Sequence, residues 1–214
     1  MHKEYFTNGE FYHVYNRGNN KRKIFLDQRD FKRFFQSIRE FNSEEPIGSI
    51  YLNSFKDASL RSSTSKLVDF VCFCLNPNHY HFILKQLKER GIEKFLHRLG
   101  TGYTKYFNEK HKCSGSLFQG RYKAIHLNSN EYLLHLSAYV NLNYEVHQLR
   151  SSTYQCDYKS SWAEYQNNLV ESICNKDIVL SQFRNFDKYR EFAVNAIQIS
   201  RTKKDMEKLL LEEV

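Results

Sequence analysis

The sequence has no apolar run long enough to span a bilayer, and its first residues, MHKEYFTNGEF, carry no apolar signal-peptide core. A cytoplasmic protein without a membrane partner is expected. The cysteines for a disulfide framework are also missing: there are five, an odd number, scattered at Cys72, Cys74, Cys113, Cys156 and Cys174, which fits a reducing compartment. Cys72 and Cys74 have no second pair with which to build a zinc site, and inside an apolar run cysteine behaves as a small hydrophobe. No internal repeat is visible. Negative charge is the scarcer sign, with 24 Asp and Glu against 32 Lys and Arg, a net charge of +8. That balance favours a polyanionic partner. It is uneven, since Lys85 to Lys123 holds ten Lys and Arg against three acids, a local +7.

What is present suffices for a core. In 214 residues, 41% are hydrophobic and 15% aromatic, enough for one domain with an appendage. The most apolar stretch, LVDFVCFCLNPNHYHFIL from Leu67 to Leu84, is divided by Asn76-Pro77-Asn78 into two halves rich in β-branched and aromatic residues. It reads as a β-hairpin with a longer-than-minimal loop. In the second strand His79, His81 and Ile83 point one way and Tyr80, Phe82 and Leu84 the other, so two imidazoles lie side by side. Histidines at this spacing also occur as ordinary structural residues. A rigid strand is nonetheless a good place from which two neutral imidazoles converge on one ion.

Glu10 to Asn16 alternates as a first strand and runs into RGNNKRK, where Arg17, Lys21, Arg22 and Lys23 crowd around a bend at Gly18, Asn19 and Asn20. Two readings stand for it: a solvated turn or a phosphate clamp. Asp27 or Asp30 caps a helix to about Phe41, with Phe31, Phe34, Phe35, Ile38 and Phe41 as its core stripe. Residues 43–66 are polar, Ser-rich and read as a variable loop. Gly91 to Asn108 repeats Phe95, Leu96, Leu99, Tyr103, Tyr106 and Phe107 at helical spacing, and Tyr103 and Tyr106 are assigned to core. In KHKCSGSLFQGRYKAI, from Lys110 to Ile125, cations surround Leu117, Phe118 and Tyr122. That pattern suits single-stranded nucleic acid, where rings stack on bases and cations follow phosphates, and equally suits a strand with a wet edge. A helix starts at Asn128 or Ser129 and packs through Leu133, Leu134, Leu136, Val140 and Leu142. On it Tyr139 and Asn143, four apart, share a face, while Tyr144 points about 100° away. Two helices are expected over Ile178 to Phe186 and Tyr189 to Ile199, and a solvated terminal helix from Arg201. His13, His97, His111, His126, His135 and His147 are assigned structural or surface places.

Five blocks, FYHVYNRGNNKRKIF (Phe11 to Phe25), NPNHYHFIL (Asn76 to Leu84), GYTKYFN (Gly102 to Asn108), SLFQGRYKAI (Ser116 to Ile125) and YLLHLSAYVNLN (Tyr132 to Asn143), occur in the order found in the single-tyrosine HUH transposases. The chain resembles in particular the REP-associated tyrosine transposases and their insertion-sequence relatives, over roughly Glu10 to Trp162. The resemblance implies an α+β, ferredoxin-like or RRM-like domain with a central antiparallel sheet and flanking helices at residues 1–165, followed by a C-terminal helical extension at 166–214. It implies a metal-dependent endonuclease and strand transferase acting on single-stranded DNA that contains a hairpin, as a monomer or homodimer. By the match, His79, His81 and Asn143 are the metal ligands for Mg²⁺ or Mn²⁺, and Tyr139 is the nucleophile that forms a 5′-phosphotyrosine. Arg17, Asn19, Lys21, Arg22, Lys23, Lys105, Lys112, Arg121 and Lys123 are the expected DNA contacts.

The chain departs from the pattern at three places. Tyr80 replaces an aliphatic residue, Asn76 stands where methionine is common, and Tyr144 stands where proline is usual, beside Tyr139. Two other functions remain open on the sequence: a non-catalytic nucleic-acid-binding module on the same fold, and a replication-initiator or relaxase-like HUH nuclease, which the short chain fits poorly.

Overall fold

The structure, a computed structural model, describes residues 5–55, 65–143, 159–166 and 172–202. Five strands make one antiparallel sheet: β1 (Phe11–Arg17), β2 (Val68–Asn76), β3 (His79–Gln86), β4 (Lys123–His126) and β5 (Lys159–Ser160), in the order β4-β1-β3-β2-β5. The two most apolar strands thus lie at or next to the centre, and the short polar ones form the edges. The apolar run is the hairpin expected, but its connection is shorter than the sequence suggests. Asn76 pairs directly with His79, leaving only Pro77 and Asn78 in the turn. Asn76 looks like turn chemistry yet is the last residue of β2, with its side chain fully buried.

One face of the sheet is covered by α1 (Gln28–Phe41) and α3 (Gly91–His111); a short α2 (Ile50–Ser54) lies within the expected variable loop, of which residues 56–64 fall outside the description. Asp27 caps α1 by accepting from the Arg29 and Asp30 backbone N–H groups, and Asp30 returns the bond to Asp27, a full capping box. The α1 stripe then packs as its spacing predicts: Phe34 meets Tyr80, Phe82 and Tyr103, all ring to ring. At Gly102 a Cβ would come within 2.6 Å of the Phe41 ring, so α1 and α3 approach as closely as they do only because that side chain is missing.

The opposite face is covered by α4 (Asn130–Asn141), which is itself backed by α7 (Phe186–Thr202). Two short helices, α5 (Trp162–Gln166) and α6 (Asp177–Leu180), complete the chain as described. The last two helices are divided differently from the sequence expectation. Phe186 begins α7 rather than ending its predecessor, because it packs with Trp162 and Tyr189 in one aromatic cluster. Helix α7 is described as far as Thr202, past the expected end at Ile199; the terminal helix expected from Arg201 otherwise falls at 203–214, outside the described residues, as do Tyr144, His147 and Cys156. Among the described residues, no helix is long and apolar enough to cross a membrane.

Candidate metal and nucleophile site

Register decides which side chains meet. In an antiparallel pair, directly opposed residues share a face. His79 opposes Arg17 on β1 and Asn76 on β2, and His81 opposes Tyr15 and Cys74. Lys123 of β4 opposes Tyr15 in turn. The two histidines therefore stand on the α4 face, flanked by two cations, while Tyr80 and Phe82 point into the α1/α3 layer.

Both imidazoles are engaged by neighbours, His79 through both ring nitrogens and His81 through Nδ1. His79 Nδ1 lies 2.6 Å from the Asn78 side-chain oxygen, which can only accept, so the ring proton is on Nδ1 and Nε2 is the accepting nitrogen. Asn76 Nδ2 donates to that Nε2 at 2.8 Å. His81 Nδ1 lies 3.0 Å from His13 Nε2, and the two rings stack at 5.2 Å with 13° between planes. His13, assigned a structural or surface place from the sequence, is fully buried and belongs to the site. It opposes Ile83 and reaches His81 diagonally across the two strands.

Helix α4 supplies the remaining groups. Ser129 caps it through the Tyr132 N–H, and its C-terminal end delivers Tyr139 and Asn143 to the histidine face. The Tyr139 ring is buried and meets His81 edge-on, centroids 6.2 Å apart. Asn143 Oδ1 accepts from Asn76 Nδ2 at 2.5 Å. The four residues singled out by sequence, His79, His81, Tyr139 and Asn143, are thus gathered on one face, with Asn76 among them.

The other side of α4 is polar and equally buried. Tyr189 of α7 places its hydroxyl 3.1 Å from Ser137 Oγ and accepts from Asn141 Nδ2 at 2.9 Å; Asn141 Oδ1 accepts from Ser161 Oγ at 2.5 Å, and Ser161 accepts from the Phe73 N–H at 2.9 Å. Burial pushes the Tyr189 hydroxyl above its ordinary range, so it stays protonated. This chain of bonds ties α4 to β2 and to α7. None of it could be read from local sequence, because its members lie up to 116 residues apart, from Phe73 to Tyr189.

The expected DNA contacts divide into two groups. Asn19, Lys21 and Arg22 lie on a 3₁₀ turn and its cap directly after β1, followed by Lys23. Gly18 N–H donates to Asn78 O, and Ile24 and Phe25 N–H both reach Pro77 O, so this loop is laced to the turn beside His79. A Cβ on Gly18 would sit 2.0 Å from Arg22 O, so the loop's close return needs glycine there. Arg17 Nε bonds Gln119, and Arg22 lies over Phe107 and reaches Cys113, one residue past exposed Lys112. Lys105 and Arg121 are elsewhere: with Asn16, Tyr80, Lys94 and Tyr122 they line a cavity of about 930 Å³ beneath α3, on the far face from the histidines. Glu93 in that cavity holds Arg90 at 2.9 Å and Arg121 at 3.3 Å.

Two of the other tyrosines, Tyr103 and Tyr80, are accounted for by packing, while Tyr144 lies outside the described residues. Tyr103 is fully buried and donates to Ile24 O at 2.6 Å, and burial raises its hydroxyl far above the ordinary value. Tyr80 is also buried, on the wrong face, with its hydroxyl raised for the same reason. Among the described residues no three His, Cys, Asp or Glu side chains are grouped to hold a metal. The donor set present is two imidazoles and carboxamide oxygen, which fits a borderline ion such as Mn²⁺ and, through its oxygen, Mg²⁺. The convergence of His79 Nε2 and Asn143 Oδ1 on a single hydrogen-bond donor is what one expects of groups arranged to share a cation.

A family model described as "Transposase IS200 like" matches residues 9–143. Among solved structures the fold is similar to that of a REP-associated tyrosine transposase bound to a REP hairpin, with a TM-score of 0.52 and 13% identity, covering 81% of this chain and 88% of that one. No curated protein sequence matches the chain.

Proposed function

Because the chain belongs to the family of IS200-like transposases, we propose that it cuts and rejoins single-stranded DNA through a covalent link to Tyr139, with residues 1–165 as the catalytic unit and 166–214 as an extension that braces it. The observation that carries this reading is the meeting of Tyr139, His81, His79 and Asn143 on one buried sheet face. His79, His81 and Asn143 would hold a divalent ion, Mg²⁺ or Mn²⁺. Such an ion supplies Lewis acidity at a nonbridging phosphate oxygen.

The chain's own residues do the rest. Tyr139 Oη gives up its proton as it attacks phosphorus, the Oη–P bond forms, and the P–O3′ bond breaks. The leaving oxygen takes up a proton and becomes a free 3′-hydroxyl, and the 5′-phosphate stays on the tyrosine. The phosphodiester energy is retained in that link, so a 3′-hydroxyl from another strand can reverse the step without a nucleotide cofactor. Burial of Tyr139 against His81 keeps the phenol oriented and water away. Arg17 and Lys123, on the same face, and the Asn19 to Lys23 loop at its end offer cations to the neighbouring phosphates. A hairpin as the DNA partner is favoured by the fold's likeness to a transposase bound to one.

The test is incubation of the full chain with labelled single-stranded DNA containing a hairpin and Mn²⁺, followed by a denaturing gel. A labelled band that stays with the protein after denaturation is expected. Cleavage that persists undiminished in excess EDTA, or an adduct of equal yield with Tyr139→Phe, overturns the mechanism.

A further inference from the structure

Asn76 occupies the centre of the candidate site, although nothing in its local sequence marks it as a ligand. Its side chain is fully buried, and one atom, Nδ2, touches two prospective ion ligands at once: His79 Nε2 at 2.8 Å and Asn143 Oδ1 at 2.5 Å. Both of those atoms offer lone pairs. An amide NH₂ has two protons and no lone pair to give, so it satisfies both acceptors only while no cation is there. The other end of the carboxamide, Oδ1, lies 3.6 Å from Cys74 Sγ, in a weak contact that an NH₂ group could equally make. Asn143 Nδ2, also buried, has no hydrogen-bond partner among the described residues.

A carboxamide is nearly symmetric in shape and opposite in chemistry at its two ends. Half a turn about Cβ–Cγ would exchange Oδ1 for Nδ2 at nearly the same point, replacing a donor by the oxygen type that hard divalent ions prefer. The spacing suits it. Neighbouring ligands on an ion with bonds of roughly 2.1 Å are about 3 Å apart, close to the separations already present around Asn76 Nδ2.

We propose that Asn76 is a further oxygen ligand of the divalent ion, brought in by this half-turn, and that in the ion's absence its NH₂ keeps His79 and Asn143 poised. The proposal rests on the reading that an ion binds between His79, His81 and Asn143. It gives the site two carboxamide oxygens beside two imidazoles.

The experiment measures Mn²⁺ binding to the full chain by titration calorimetry, with free Mn²⁺ checked by its paramagnetic resonance signal. Asn76→Leu keeps the size and removes both ends of the amide; Asn76→Asp keeps an oxygen at the same place. Mn²⁺ affinity is expected to fall about tenfold or more in Asn76→Leu, the scale on which groups around a metal act, and to be kept or raised in Asn76→Asp. Binding in Asn76→Leu as tight as, or tighter than, the unaltered chain overturns the proposal, since the amide would then merely compete with the ion. Should Asn76→Leu fail to fold, Asn76→Asp decides alone, and weaker Mn²⁺ binding there overturns it. A different outcome strikes the underlying reading: no Mn²⁺ bound by the unaltered chain, or equal binding by a His79→Ala/His81→Ala double variant, removes the ion site itself.

Discussion

His13 Nε2 and His81 Nδ1 lie 3.0 Å apart between parallel, fully buried rings. One of the two must donate. For His81 to present an Nε2 lone pair to an ion, its proton must reside on Nδ1 and be accepted by His13. His13→Phe keeps the ring stack and deletes the acceptor, and is expected to weaken Mn²⁺ binding between about tenfold and a hundredfold by calorimetry. His13→Gln, which can still accept, should recover part of the loss. Unchanged affinity in His13→Phe would make this pair a packing contact only.

Tyr139→Phe removes one oxygen from a buried ring that is otherwise well packed. Covalent adduct should vanish from a denaturing gel while hairpin binding, read by gel shift, remains near that of the unaltered chain. A large loss of binding would instead assign Tyr139 to holding the DNA.

Tyr189→Phe leaves Ser137 and Asn141 without their shared partner inside the protein. Stability should drop by about 1 to 2 kcal/mol in chemical unfolding. Adduct formation should slow even where the protein is fully folded, because the helix bearing Tyr139 loses its outer brace. A stability loss with an unaltered adduct rate would confine the extension to a folding role.

Lys110 joins α3 to the start of α1, with Nζ 2.7 Å from both Asp27 and fully buried Asp30. Burial works against the Lys110 charge, but the hydrogen bonds it donates to the two carboxylates outweigh it and raise its pKa; Asp27 is likewise opposed by burial yet lowered on balance by Lys110. Lys110→Met strands the Asp30 charge, and about 3 kcal/mol of stability should be lost near neutral pH, somewhat less where His111, 3.0 Å from Asp30, compensates. The lysine's share is fully present below the ordinary lysine value of about 10.4 and disappears as pH rises through the raised value. The Asp27 share is present above about 3.9 and disappears as pH falls through the lowered one. The gap between the two proteins in denaturant midpoint should therefore be widest between these limits and close at both extremes.

Arg17 and Lys123 flank the histidines, whereas Lys105 lies on the far face of the sheet. Arg17→Gln and Lys123→Gln should each reduce the slope of log affinity against log salt for single-stranded DNA by about 0.7, the loss of one phosphate contact. Lys105→Gln should alter adduct formation less than either. The reverse ranking would move the strand's path to the cavity under α3.

The parts of this site that are legible in the sequence are those governed by short periods. Alternation along β3 puts His79 and His81 on one face, and the aromatic stripe of α1 packs as its spacing requires; Tyr139 is on α4 as expected, but the helix ends at Asn141, so Asn143 reaches the site from beyond its cap and not by the helical repeat. The hidden parts depend on long-range register or on ambiguous chemistry. His13 matters because it lies diagonal to His81 across two strands 68 residues apart, and no local pattern encodes that offset. Asn76 reads as turn because Asn, Pro and Asn all favour bends, yet pairing with His79 makes it a strand residue aimed inward. The boundary at Phe186 escapes the sequence because an aromatic at a helix start and one at a helix end look alike until Trp162 and Tyr189 close around it.

The lacing of Gly18, Ile24 and Phe25 onto the Pro77-Asn78 turn makes the cationic loop and the histidine strand a single rigid piece. On the proposed function, a backbone phosphate held by that loop would lie at a constant distance from His79, and the piece would work as a ruler laid along the strand. On that reading the scissile bond is set by the number of nucleotides from the grip, and a residue inserted between Gly18 and Ile24 is expected to shift the cut along the DNA instead of abolishing it, as mapping the cleaved ends on a sequencing gel would check.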